Sequence, residues 1–184
     1  GTYSPSIICS CEVLNLNNLI EKLRMESVGS LDSIYEFVPK VSIDVDRFKY
    51  VIITFFRKPL KGKSKKNRKP ELYFIRGNQH CEYHFHVVEV FMCELKVVEA
   101  NPQLQHLLRS LYPDYKGDLS FSSLFDIECE GGGRIMHDVS KQCISIYGYS
   151  QGFGKADHFL SAQLIKSVYT SYPESSITWS DEGY

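Results

Sequence analysis

Three short segments of the sequence could each supply hydrogen-bond donors to a bound anion. The first is a helix expected to begin close to His84, where the opening backbone amides have no partner inside the helix. The second is the bend at residues 148–154, whose glycines let amides turn toward a ligand and whose Ser150 adds a hydroxyl. The third is the glycine run at residues 131–133. Each segment alone is more often an ordinary turn than a ligand site, but together they favour binding of a phosphate-sized anion.

Two other reactive groupings have spacings that do not suit their chemistry. A set of possible metal ligands lacks the paired spacing of zinc modules, and it consists of His80, Cys81, His84 and His86. The interval between Cys129 and Arg134 is one residue too short for the phosphate loop of a thiol phosphatase. We therefore interpret Cys129 as a strand residue and expect no bound metal.

The elements that would position these segments are strands and helices without regular βαβ repetition. Continuous β-branched and aromatic residues predict a buried strand over residues 48–56, and a shorter strand over 72–76 that ends at Gly77. Residues 134–138 and 143–149 alternate around a polar turn, which predicts a hairpin, and residues 177–179 give a last strand. This mixture indicates fold class α/β (α+β).

Helical spacing recurs in four places. A capped helix is predicted from Asn15 to near Gly29, and a second helix from near His84. Asn101 followed by Pro102 predicts the start of a third, which stops at Pro113. A fourth covers residues 156–169, with Phe159, Ala162, Ile165 and Tyr169 on one side. Residues 114–124 and the basic run at 61–69 are predicted to be loops.

Composition excludes several classes of protein. The chain has 184 residues, 43% of them apolar, and a formal net charge of -1, which indicates one globular domain without a field that would attract nucleic acid or membranes. The basic run lacks the interleaved aromatic residues of a nucleic-acid surface. No segment is long and apolar enough to span a membrane, and six scattered cysteines favour reduced thiols. We expect a cytoplasmic monomer.

The motifs, taken in order, resemble the phosphohistidine phosphatase and Janus-A family. The similarity extends over residues 41–184, with residues 41–53 resembling the first strand of that family. The segments that carry it are Phe48-Lys49-Tyr50, Arg76-Gly77, Glu82-Tyr83-His84, Gly131-Gly132-Gly133-Arg134-Ile135, His137, Tyr147-Gly148-Tyr149-Ser150, His158, Thr178-Trp179 and Gly183-Tyr184.

The resemblance implies a single compact domain, with a mixed sheet flanked by helices, that removes phosphate from histidine-phosphorylated proteins without a metal or other cofactor. His84 matches the catalytic histidine of the family. The basic residues of the family's site match Lys49, Arg76 and Arg134, and its phosphate-binding amides match Tyr83, His84, Ser150 and Gly152.

The sequence departs from the family pattern in length and at one bend residue. Residues 1–40 form an N-terminal extension with an added helix, and a helical insertion covers about residues 97–125 of the domain at 41–184. Gly152 stands where alanine is expected, a change that keeps the amide and loosens the bend by up to about 1 kcal/mol.

The role of His84 has two alternatives under this resemblance. A neutral imidazole could attack phosphorus or could activate water, and the sequence does not choose between them. We expect Lys49, Arg76 and the helix start to lower the pKa of His84 and keep it neutral. A different hypothesis is a non-catalytic Janus-like module that keeps the anion pocket and binds phosphorylated partners. Read alone, His84 could also be a partly buried histidine that caps its helix.

Overall fold

The computed structural model describes residues 30–59 and 66–183, so the helix predicted from Asn15 lies outside the described residues. Within these described ranges, six strands form one sheet. Their bounds are β1 (Val41–Ile43), β2 (Asp46–Arg57), β3 (Leu72–Asn78), β4 (Phe125–Asp138), β5 (Cys143–Tyr147) and β6 (Ile177–Trp179).

The order of the strands in the sheet is β1-β3-β2-β4-β5-β6. The outer pairs β1–β3 and β5–β6 are parallel, whereas the three inner pairs are antiparallel. This mixed sheet with helices confirms the predicted fold class. The two central strands, β2 and β4, are the longest and pair along their whole length, from Asp46 opposite His137 to Arg57 opposite Phe125.

The described part of the chain has four α-helices: α1 (His84–Glu99), α2 (Pro102–Leu111), α3 (Phe121–Leu124) and α4 (His158–Val168). Short 3-10 turns lie at Leu31–Glu36 and Glu174–Ser176. The predicted start of α2 is confirmed, because the Asn101 side chain accepts a hydrogen bond from the amide of Gln103. Asp157 caps α4 in the same way through the amide of Leu160. No helix within the described residues is long and apolar enough to cross a membrane.

The sheet has a separate apolar core on each face. Helices α1, α2 and α3 cover one face over a cluster of aromatic rings, with Phe55 in contact with Phe74, Phe91, Phe121 and Phe125. Helix α4 covers the other face over Tyr50, Ile135, Ile144 and Ile146. Because side chains alternate along a strand, Tyr50 and Val51 face opposite cores.

Strand β4 is the main departure from the predicted elements. It begins at Phe125, not at Arg134, and the glycines at 131–133 lie inside it, paired with Ile52, Val51 and Tyr50 of β2. The prediction failed because glycine is a turn signal in a sequence, whereas here it allows close approach of other segments. One extra residue, Glu130, forms a bulge between the partners of Ile52 and Ile53.

Several smaller predictions were also wrong. Residues 41–43 form a separate strand parallel to β3, and β3 continues through Gly77 to Asn78. Helix α3 lies within the segment 114–124 that was predicted to be a loop, because Ser120 accepts a hydrogen bond from the amide of Ser123. Helix α4 begins at His158, and Phe159 is 55% exposed instead of belonging to the buried side.

The segments interpreted as an extension and an insertion contribute side chains to the first core. Ile34 and Val38 precede residue 41 and are fully buried there. Leu104, Leu108 and Phe121, within the predicted insertion, are fully buried in the same cluster. The division of the chain at residue 41 stays a prediction.

Candidate active site

A cavity of about 540 Å³ opens where the start of α1 meets the bend that follows β5. Lys49 of β2 contributes to its wall. Two of the three segments predicted to bind an anion are thus brought together, and the lining residues are Lys49, Glu82, Tyr83, His84, Phe85, Ser150, Gln151, Gly152 and Phe153.

His84 lies at the first position of α1 with its ring packed on strand β4. The residue is 9% exposed, and its Nε2 lies 2.9 Å from the carbonyl oxygen of Gly133. A carbonyl oxygen can only accept, so Nε2 carries the proton and donates it to this bond. The neutral ring therefore has its lone pair on Nδ1, which is the ring atom opposite the Cδ2–Nε2 edge that faces the strand. The arrangement leaves the basic nitrogen directed away from β4.

Gly132 is what allows the ring to approach the strand. A Cβ atom placed at this position would lie 2.6 Å from Cδ2 of His84 and 2.8 Å from the backbone oxygen of Tyr50. Gly133 is equally restricted, because its Cβ would lie 2.5 Å from the oxygen of Tyr147. The glycine run predicted to bind a ligand directly thus acts as the surface on which His84 is seated.

Burial is the main reason that the pKa of His84 is lowered from its ordinary value. The positive charges of Lys49 and Arg134 lower this pKa further, whereas the hydrogen bond to Gly133 opposes the shift. The lowering agrees with the sequence-based expectation, but Arg134 contributes to it where Arg76 was expected. His84 is consequently neutral under ordinary cellular conditions.

The bend at residues 148–154 is closed by its own hydrogen bonds. The amide of Ser150 donates to the oxygen of Gly154 at 3.1 Å, and the amide of Gly154 donates to the oxygen of Ser150 at 2.8 Å. The amide of Phe153 donates to Oγ of Ser150. Within the described residues the amides of Gln151 and Gly152 have no such partner, so they are the donors that remain at the cavity.

Ser150 therefore differs from its predicted role as an amide donor. Its amide is occupied by Gly154, and the residue is 2% exposed. Its hydroxyl oxygen accepts from Phe153, which leaves the hydroxyl proton to donate toward the cavity. At Gly152 an added Cβ would meet no atom within 4 Å, so an alanine would fit there.

The backbones of Gly132 and Gly133 in β4 hold both walls of the cavity. The amide of Gly132 donates to the oxygen of Gly154 at 3.0 Å, and the oxygen of Gly132 accepts from the amide of Ala156 at 3.0 Å. The next residue, Gly133, accepts from His84. The imidazole and the donor bend are thus fixed to consecutive residues of β4.

Arg76 does not line the cavity, and its role as a basic residue of the site stays a prediction. Its Nε and Nη2 donate to the two carboxylate oxygens of Glu94 on α1, at 2.9 and 3.0 Å. The guanidinium also lies over the ring of Phe91, 4.8 Å from its centroid, and the side chain is 7% exposed. The charge of Arg76 is thus compensated by a residue on a distant element, which a local sequence pattern does not reveal. The contacts tie β3 to α1.

Lys49 and Arg134 are the predicted cations that lie close to His84. They are paired across β2 and β4, and both lower the pKa of the imidazole. Because they occupy directly opposed positions, they place two positive charges on the face of the sheet that carries α1. Tyr83 is the N-cap of α1 and makes no side-chain capping bond, so the first amides of the helix have no side-chain acceptor there.

A second histidine supports the site from the opposite face. Nε2 of His158 lies 2.7 Å from the oxygen of Gly148 and therefore donates to it, while Nδ1 lies 2.5 Å from the hydroxyl of Tyr50 and accepts from it. Oγ of Ser161 lies 3.1 Å from the same hydroxyl. Sequence reasoning gave no role to this network, because its members lie on β2 and α4 and meet only in the folded core. It fixes Gly148, where the bend begins.

The alternative reactive groups are the Cys129 thiol and the possible metal ligands. Burial raises the pKa of the Cys129 thiol to about 11, which disfavours the thiolate that a thiol phosphatase requires. Among residues 30–59 and 66–183, no three His, Cys, Asp or Glu side chains are grouped closely enough to hold a metal ion.

Comparison of the sequence with known proteins identifies the family of this chain. The Janus/Ocnus family model matches residues 35–173. Proteins named 14 kDa phosphohistidine phosphatase from Sus scrofa and Homo sapiens are 32% identical over 148 residues, which cover 80% of this chain and 93% and 94% of those proteins. Sex-regulated protein janus-A of Drosophila melanogaster is 56% identical over 57 residues, 31% of this chain and 40% of that protein. The chain therefore belongs to the Janus/Ocnus family.

Proposed function

We propose that this protein is a phosphohistidine phosphatase that hydrolyses the N–P bond of histidine-phosphorylated proteins, with His84 as the reactive group. The observation that carries the proposal is the hydrogen bond from Nε2 of His84 to Gly133. It leaves a basic Nδ1 on a neutral, buried ring beside a cavity that contains unpaired amides. The names of the 32% identical relatives supply the substrate class.

The phosphoryl group would be held by charges and dipoles of the protein. Lys49 and Arg134 would compensate its negative oxygens, the opening amides of α1 at Tyr83 and His84 would donate to it, and the bend would add the amides of Gln151 and Gly152 and the hydroxyl of Ser150. Donors fixed in advance of binding stabilise the charge that gathers on the equatorial oxygens in the transition state. Arg76 would act indirectly, by holding α1 through Glu94.

Two routes are compatible with this arrangement. In the first, the Nδ1 lone pair forms a bond to phosphorus, the N–P bond of the substrate breaks, and its electron pair goes to the departing imidazole, which takes a proton from solvent. Water then cleaves the phosphorylated His84 and releases inorganic phosphate. In the second, Nδ1 takes a proton from a water whose oxygen attacks phosphorus, the N–P bond breaks with its electron pair going to the departing imidazole, and that imidazole takes a proton, so no covalent intermediate forms.

The test is release of inorganic phosphate from a phosphohistidine peptide. We expect turnover by the unmodified protein, its loss in His84→Ala, and its retention in His80→Ala, which removes an exposed histidine outside the cavity. Turnover should persist in EDTA, since the proposed charges come from the protein. An alkaline quench, which preserves phosphohistidine, would reveal labelled enzyme on the first route and none on the second.

The alternative function is a non-catalytic module of the same family that binds phosphorylated partners. The uncapped start of α1 and the bend would serve such binding equally well. Saturable binding of the peptide without phosphate release by the unmodified chain would establish the module and refute the enzyme.

A further inference from the structure

We propose that the rings of Tyr83 and Phe85 form the subsite for the imidazole of the substrate, so that the site selects phosphohistidine over phosphorylated aliphatic amines. This inference rests on the proposed function, and it gives a role to the side chains of Tyr83 and Phe85, whereas the phosphate donors of α1 are backbone amides.

The two rings form an ordered, exposed surface at the cavity. Their centroids are 5.9 Å apart and their planes differ by 14°, which is a stacked arrangement. His86 supports both from the side, 4.1 Å from the ring of Phe85 and 5.5 Å from that of Tyr83. Tyr83 is 53% exposed and Phe85 is 49% exposed, and both line the cavity. The rings are therefore held by each other while a large part of their surface is left for a ligand.

Chain connectivity fixes these rings close to the phosphate donors. Tyr83 and Phe85 flank His84 in sequence, and the opening amides of α1 belong to the same three residues. In phosphohistidine the ring is bonded directly to phosphorus, so its imidazole must lie within one ring width of the phosphoryl group. A phosphoryl group held by these amides thus leaves the substrate ring within reach of the exposed rings of Tyr83 and Phe85.

The chemistry of the surface favours a flat aromatic ring. Aromatic pairs gain attraction in offset or edge-to-face contacts, beyond the area that they bury. The flexible methylene chain of phospholysine has no π-system and loses more rotamer freedom on binding. Phe153 adds a further aromatic side chain to the lining of the cavity.

The experiment compares three substrates: a phosphohistidine peptide, a phospholysine peptide of the same sequence, and phosphoramidate, which has no carbon substituent. For each of Tyr83→Leu and Phe85→Leu we expect the ratio of kcat/KM for phosphohistidine to that for phosphoramidate to fall by about tenfold, mainly through KM. The corresponding ratio for phospholysine should stay within about twofold. Tyr83→Phe should retain the selectivity, and Phe159→Leu, which alters an equally exposed ring on α4, should leave it unchanged.

Three results would overturn the inference, and they are distinguishable. Equal losses on all three substrates would mean that the rings only support the fold. Equal losses on both peptides would mean that the rings contact peptide residues beside the phosphorylated one. Absence of phosphate release by the unmodified protein from every substrate would refute the proposed function itself.

Discussion

The imidazole of His84 and the backbone of Gly132 are in such close contact that no side chain fits between them. The Cβ of an alanine would lie 2.6 Å from Cδ2 of the ring and 2.8 Å from the backbone oxygen of Tyr50. The strand oxygen cannot move without breaking the central β2–β4 pairing, so the ring must leave Gly133.

We therefore expect Gly132→Ala to reduce phosphate release on the order of 100-fold, because displacement of a reacting group by about 1 Å has effects of this size. Circular dichroism and the thermal midpoint would establish that the variant is folded. The NMR titration of the His84 ring should show a pKa nearer to the ordinary value. A folded variant with undiminished turnover would contradict the proposed seating of the ring.

The bend contains two glycines that offer the same free space to a Cβ atom but differ in backbone conformation. An added Cβ meets nothing within 4 Å at Gly152 or at Gly154, but Gly154 has a φ of +82°. Gly152→Ala should stabilise the protein by about 0.4–1 kcal/mol through the unfolded state. Gly154→Ala should destabilise it by roughly 1–2 kcal/mol. Urea denaturation measures both, and equal effects of the two substitutions would show that the bend is not constrained in this way.

The pH dependence of turnover should respond to Lys49. In the proposed reaction the neutral form of His84 is the reactive one, and its pKa is lowered, so turnover should be full at neutral pH and fall as the pH drops below 6.5. Lys49→Met removes one cause of the lowering, and the acid limb of kcat/KM should move to higher pH. Lys58→Met, at an exposed position beyond β2, should leave that limb in place. An unchanged acid limb in Lys49→Met would argue against this electrostatic role.

Arg76 and Glu94 should behave as one unit in unfolding experiments. Hydrogen bonds to charged groups contribute roughly 1.5–3 kcal/mol, so Arg76→Met and Glu94→Gln should each reduce the free energy of unfolding by an amount in this range. The double variant should cost little more than the Arg76 variant, with a coupling energy of about 1 kcal/mol or more. If the two substitutions had additive effects on the free energy of unfolding, or if Arg76→Met alone reduced phosphate affinity, Arg76 would instead be interpreted as a direct phosphate ligand.

The buried network on the other face gives a prediction for stability. The Tyr50 hydroxyl is the donor for Nδ1 of His158, and both residues are almost fully buried. Tyr50→Phe leaves that nitrogen without a partner and should cost about 1–3 kcal/mol. Ser161→Ala should cost less, since Tyr50 can still donate to His158. Chemical denaturation at pH 7 tests the order of the two variants, and the reverse order would contradict the assigned bond.

The elements that the sequence predicted correctly are those determined by residues close together in the chain. Apolar residues on one helical face identified α1 and its start at His84, and the Asn101-Pro102 pair identified the start of α2. The mixed sheet was implied by the family resemblance, and the α/β (α+β) class followed from the strand and helix patterns. In each case the residues that determine the structure are within a few positions of one another.

The contacts that the sequence did not predict join distant segments. The glycines of β4 gave a turn signal because the groups that require them, the His84 ring and the Tyr147 oxygen, are contributed by other elements. The ion pair of Arg76 with Glu94 depends on the register of β3, which places Arg76 under α1. Occupation of the Ser150 amide likewise depends on how the bend folds back on itself.

The attachment of both cavity walls to Gly132 and Gly133 has a mechanical consequence. A single peptide link sets the distance between the His84 ring and the amides of the bend, so motion of the outer strands would move the two sides together without widening the cavity between them. Insertions or deletions elsewhere in the chain, such as in the segment that carries α2, can then occur without changing the distance across the cavity.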